Sequence, residues 1–225
     1  MMKRTTGIVF LLVALGIAGV ITACSAQEVG ALQYLQDAQM AYAQVQSYRC
    51  KATNVVMKYG LLGPKRYYNR VRYSFEKPNR VRMEWLAPGL LKGQVAVYRD
   101  NALRVKMRFM PFAIPMDPDG FLAQDPAGNR IHKTHIGYLL ETLMAAITPE
   151  TKITLSDASK IQSSEKGIGV AVENNQGRVL LLLDPQRKLP IAMEFYGTDG
   201  RLQQACYFED LALNVKLGAK EFELS

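Results

Sequence analysis

The chain has 225 residues and a formal charge of +8, and 48% of it is hydrophobic against 21% charged. That length makes one domain, long enough to bury a real core, and argues against a multidomain assembly. The basic excess invites an anionic partner, either nucleic acid or a phosphate-bearing membrane surface, and the exported character of the chain argues against nucleic acid.

Export is read from the first residues. Lys3 and Arg4 form a short positive region, and positions 7–23 are uncharged and mostly Val, Leu, Ile, Ala and Gly. This is the pattern of a secretory signal, and it is short for a bilayer span, which needs about 20 apolar residues. It ends in Ile21-Thr22-Ala23-Cys24, which resembles the bacterial lipobox. Small residues at 22 and 23 pass extended through a peptidase groove, Cys24 takes a diacylglycerol on its sulfur, and cleavage leaves Cys24 as the N-terminus. Residues 1–23 are therefore expected to be a lipoprotein signal peptide, and 24–225 one lipid-anchored domain. An uncleaved membrane anchor and an ordinary signal peptide with an incidental cysteine are the alternatives. Several acyl chains hold a protein on a membrane far better than one. By the same resemblance, Ser25 after the cysteine favours the outer membrane of a Gram-negative cell, facing the periplasm. Loss of Lys3 and Arg4 takes the charge from +8 to +6. With Cys24 acylated, Cys50 and Cys206 remain, and outside the cytoplasm they either pair as a disulfide or sit as two separate buried thiols.

Residues 27–47 are rich in Ala, Gln and Leu and predict a helix, with Val29, Leu32, Leu35, Met40 and Val45 on its apolar face. From Tyr48 the period changes to two. Val71, Tyr73 and Phe75 alternate with Arg70, Arg72 and Ser74; Val81, Met83 and Trp85 with Arg80, Arg82 and Glu84; Leu103, Val105, Met107 and Phe109 with Arg104, Lys106 and Arg108. This predicts a sheet with one apolar and one wet face. Turn signals at 60–64, 77–79, 87–89 and 100–101 make it an antiparallel meander. Residues 109–133, with Pro111, Pro115, Pro118 and Pro126, predict a long irregular excursion, a kind of segment that is often functional. Thr134 is placed to cap a helix over 135–147. Further strands follow, of which 179–183 is apolar on both faces and so covered on both sides. About ten strands are expected, enough for a twisted sheet to curl.

The phrases "LLLDPQRKLPIAMEFYGTDG" and "YSFEKPNRVRMEWLAP" resemble the LolA/LolB-like lipoprotein-carrier superfamily, through Asp184-Pro185, Leu189-Pro190, Asp199-Gly200, Asn214 and Phe222. The middle segment is more similar to an uncharacterised lipid-anchored bacterial branch of that fold. The resemblance implies an α+β fold: a curved antiparallel sheet forming a half-open β-barrel over which helices act as lids. It implies a hydrophobic concavity for acyl chains, with no covalent chemistry, cofactor or metal. Carrying one activity over would be fold-level analogy.

The expected cavity wall is Val71, Tyr73, Phe75, Val81, Met83, Trp85, Leu103, Val105 and Met107; the same residues would also serve as plain core. Leu61-Leu62 and Leu90-Leu91 sit in turns, where side chains are normally polar, and are candidates for contact with a membrane or a partner, or for plugging the sheet end. The basic stripe from Arg70 to Arg108 is either a headgroup contact or a solvated face. His132 and His135 lack a third ligand fixed by spacing. Asp117, Asp119 and Asp125 do not match a cation loop, and no nucleophile elbow, phosphate loop or Cys-x-x-Cys occurs. The chain is thus expected to be an envelope lipoprotein binding a lipid or the acyl chains of another lipoprotein. The alternative is a sensor or assembly module that holds an envelope protein.

Overall fold

The computed structural model describes residues 26–87, 89–163 and 165–224; the side chains of 26–29 and of Leu90 are outside the description. The leader and Cys24 lie outside these residues.

Helix α1 spans Ala26–Ala43 and β1 begins at Ser47. The helix buries Ala31, Leu35, Ala38 and Tyr42, spaced as one face of a 3.6-residue period. This corrects the face expected from the larger apolar residues: Met40 is 58% exposed and Val45 lies beyond the helix end. Alanines at 31 and 38 form the contact face because they let the helix come close to the strand Lys152–Ser156 and to the second helix. Its last carbonyls, of Tyr42 and Ala43, accept bonds from Lys77 Nζ at 3.3 and 2.9 Å. A cation there suits the negative end of the helix.

Two antiparallel meanders follow. The first is β1 (Ser47–Gly60), β2 (Gly63–Glu76), β3 (Arg80–Ala87), β4 (Val95–Arg99), β5 (Ala102–Lys106) and β6 (Ile114–Met116). The second is β7 (Lys152–Ser156), β8 (Ile168–Asn174), β9 (Gly177–Leu183), β10 (Pro190–Tyr196) and β11 (Leu202–Leu213). They join where β1 pairs with β11, from Tyr48↔Leu213 to Val56↔Gln204, giving one eleven-stranded sheet in the order β6-β5-β4-β3-β2-β1-β11-β10-β9-β8-β7. The edges β6 and β7 do not pair with each other, so the curled sheet stays open. β6 is short and carries Pro115, which blunts its free edge.

Helix α2 (Ile136–Ala145) lies inside the curl. Its cap corrects the expectation: His135 Nδ1 accepts from the amide of Tyr138 at 3.0 Å, whereas Thr134 donates its hydroxyl to Ile131 O at 2.8 Å. An imidazole nitrogen does the work of the usual hydroxyl or carboxylate. Gly137 leaves room for the Tyr42 ring, which a Cβ would meet at 2.1 Å.

The start of α2 anchors an aromatic plug. Phe75 stacks between Tyr48 and His135, with ring centroids 5.2 and 4.6 Å away, and Tyr48 stacks on Tyr73 at 5.8 Å. Tyr48 Oη accepts the amide of Ile136 at 3.1 Å, which satisfies both groups in a buried place. Burial pushes His135 down to about 4, with the charge of nearby His132 adding to the effect. The unfolded imidazole, near 6.5, therefore binds protons first. Stability is complete above pH 6.5 and falls as the pH drops towards 4, by up to about 3 kcal/mol from this group. Urea denaturation at steps between pH 7 and 5 should show the decline, and His135→Asn, which keeps a capping side chain, should flatten it.

A smaller apolar cluster lies on the outer face of the second meander. Ile161, Leu180, Leu182, Ile191 and Ala192 are buried there, so 157–163 covers the outer side of β9 while Leu181 and Leu183 face the main core. The expectation that this strand is covered on both faces holds. Glu194, fully buried at the same place, accepts the amide of Gln162 at 2.8 Å and the hydroxyls of Tyr196 and Tyr207 at 2.6 and 2.7 Å.

Candidate functional site

The plug fills one end of the curl only. Along β1 the inward positions run Tyr48, Cys50, Ala52, Asn54, and along β2 they run Phe75, Tyr73, Val71, Asn69. Both strands taper from aromatic to small to polar. At the aromatic end the core is solid. At the other end the shrinking side chains leave a hollow of about 280 Å³.

Met83, Trp85, Val105, Met107, Met116 and Leu139 give the hollow apolar walls, with Leu122 and Ile131 closing it from the 107–133 segment. Asn54, Asn69 and Gln204 bring amides to its floor, and Asn54 Nδ2 donates to Asn69 Oδ1 at 3.1 Å. Four of the nine expected wall residues, Met83, Trp85, Val105 and Met107, face this space. Val71, Tyr73, Phe75, Val81 and Leu103 are buried in the filled core. Phe109 leaves the alternation altogether: β5 ends at Lys106, and Phe109 is 75% exposed.

The 107–133 segment is a cover built from turns. Asp117 and Asp125 accept backbone amides two residues ahead, and Asp125 also holds Asn129. Arg130 pairs with Asp119 at 2.7 Å. His132 stacks on Tyr98 at 4.8 Å, and burial lowers its pKa. Among the described residues no group of three or more His, Cys, Asp or Glu is placed to hold a metal ion.

Cys50 and Cys206 are free and buried, which corrects the disulfide alternative. Asn54, not Cys50, stands opposite Cys206 in the ladder. Four residues of strand, about 13 Å, separate the thiols, beyond the reach of a disulfide. Burial pushes the Cys206 thiol up to about 12, with Asp125 adding to the rise. A neutral thiol serves as apolar wall, and Cys206 does line the hollow.

The turns with leucine pairs differ from each other. Leu61 and Leu62 are fully exposed. They cap a ribbon that continues past the last pairing with β11 (Val56↔Gln204) and with β3 (Arg70↔Ala87). The tip stands about 15 Å beyond the last pairing with β11, and Tyr59 Oη donates to Leu202 O at 2.8 Å part of the way along. Leu91 is 41% exposed and reaches the hollow, while the side chain of Leu90 lies outside the description. Phe109, Phe112, Phe121 and Leu122 are also exposed. All of them lie on the ribbon, on turns at the hollow's end of the sheet, or on the cover. The basic stripe is largely engaged: Arg72 pairs with Glu84 at 2.7 Å and Arg80 with Glu76 at 3.0 Å. Arg70 pairs with Glu209, and Arg82 donates to the carbonyl of Glu221 at 3.1 Å.

Sequence reading missed Asn54, Asn69, Gln204, Met116, Leu122, Ile131 and Leu139. The taper along β1 and β2 was the available signal for the first two.

No helix among the described residues is long and apolar enough to cross a membrane. No protein-family model matches the chain, and no curated protein matches it. Solved structures do. MucB is 15% identical, with 90% of this chain and 64% of MucB covered and a TM-score of 0.50. A LolA superfamily protein from Nitrosomonas europaea is 14% identical, with 86% and 97% covered and a TM-score of 0.42. A conserved protein from Thermus thermophilus is 9% identical, with 86% and 92% covered and a TM-score of 0.48. At such identities the likeness speaks for the fold alone, and with the open eleven-stranded curl and its inner helices that fold is LolA-like.

Proposed function

We propose that the chain is a lipid-anchored protein of the cell envelope that shelters acyl chains, as free lipid or as part of another lipoprotein, in the hollow between sheet, cover and α2. The observation that carries this reading is the half-filled interior: apolar walls enclose space that the protein's own side chains leave empty. The lipobox at Cys24 supports the anchor, and Ser25 after it supports an outer-membrane address facing the periplasm. The exposed leucine tip and the apolar rim support loading from a bilayer, since exposed patches of this kind mark interaction surfaces. Exchange needs no covalent step and no cofactor; burial of apolar surface drives it. Organic extraction of the purified chain followed by mass spectrometry should recover a stoichiometric acyl compound, whereas a clean extract contradicts the reading.

The same rim supports a second reading, in which the partner is an envelope protein. MucB has been solved in complex with MucA. A clean extract together with a specific protein retained on the rim would favour it.

A further inference from the structure

A second concavity of about 350 Å³ lies between α2 and the ends of β8–β10, lined among others by Thr142, Leu143, Ala146, Val172 and Val179. It adjoins the first hollow. Asn129, Lys133, Leu139, Phe195 and Gln204 line both spaces and form the partition between them. Leu139 and Phe195 are only half-buried, so their side chains have room to turn aside. The two lobes are of similar size, about 280 and 350 Å³, and so take chains of similar length.

Charge enters at the partition. Lys133 lies at the junction of the lobes, its Nζ 5.9 Å from the centre of the Tyr138 ring. The nearby carboxylates are committed elsewhere, Asp119 to Arg130 and Asp125 to the amides of Ala127 and Asn129. No carboxylate among the described residues pairs with Lys133.

Building on the acyl-binding reading above, we infer that the ligand is an anionic lipid with two chains, one in each lobe, whose headgroup sits over the partition against Lys133. One chain then lies against Met83, Met107 and Met116 in the first lobe and the other against Leu143, Val172 and Val179 in the second, where Arg178 is held by Glu173 at 3.0 Å. The partly desolvated ammonium of Lys133 attracts a headgroup of net negative charge as a point charge.

Native mass spectrometry of the full chain with didecanoyl phosphatidylglycerol, didecanoyl phosphatidylcholine and decanoic acid tests this. One phosphatidylglycerol or two decanoic acids should bind per chain, with phosphatidylcholine at least tenfold weaker. Lys133→Glu should cut phosphatidylglycerol binding at least tenfold and spare the uncharged monodecanoylglycerol. Thr142→Trp, or Ala146→Phe should that variant misfold, fills only the second lobe; it should abolish two-chain binding and leave one decanoic acid. Phosphatidylglycerol binding indifferent to both changes, or phosphatidylcholine bound equally well, overturns the inference. A single decanoic acid with no two-chain lipid overturns it while leaving the acyl-binding reading intact. Failure of every amphiphile to bind overturns both.

Discussion

Serine at both Leu61 and Leu62 is expected to weaken the binding of non-acylated chain (Cys24→Ser) to anionic vesicles by about 100-fold. Each leucine offers about 1.5–3 kcal/mol on full transfer out of water, and at the tip of a ribbon both are free to insert. Lys58, Lys65 and Arg66 flank them without an acidic residue between 57 and 69, and each basic group near an anionic surface adds about 1 kcal/mol. Added salt should therefore weaken the wild-type chain further. Both side chains are fully exposed, so the double variant should unfold at the same urea concentration as the parent. Vesicle flotation measures the effect, and unchanged flotation rules the tip out as a membrane contact.

Phe75→Ala is expected to cost about 3–5 kcal/mol of folding stability. The ring is 1% exposed and is stacked on both faces, by Tyr48 and His135. Its removal opens a cavity at the point where α2, β1 and β2 meet. The same truncation at Met107 should cost far less, because that side chain already borders empty space. Urea denaturation of the two variants distinguishes plug from wall. Equal losses would mean that the interior is packed alike at both ends.

The strands of the first meander were legible because apolar and polar residues alternate along them: Val71, Tyr73 and Phe75 are buried as expected, although Ser74 on the other face is buried too, where its hydroxyl donates to Glu221. The face of α1 was not, because its contacts are alanines, whose burial depends on what approaches them. Which inward residues are core and which are wall was equally hidden. Tyr73 and Met107 read alike in sequence, and only the position of α2 fills the space around one and leaves the other open. Asn54 and Asn69 looked like ordinary polar strand residues; their opposition in the ladder turns them into a floor. Pairing of Cys50 with Cys206 hung on register between strands more than 140 residues apart in the chain, which no local pattern records. The covering role of 107–133 is likewise a long-range contact, although its prolines did mark it as irregular.

Trp85 is the single tryptophan of the chain and borders the hollow. Titration with decanoic acid brominated along its chain should therefore quench its fluorescence in a saturable way, with an excess of unbrominated acid reversing the effect. Full emission retained in a folded protein, at acyl concentrations up to the micellar limit, would mean that no acyl chain enters the hollow.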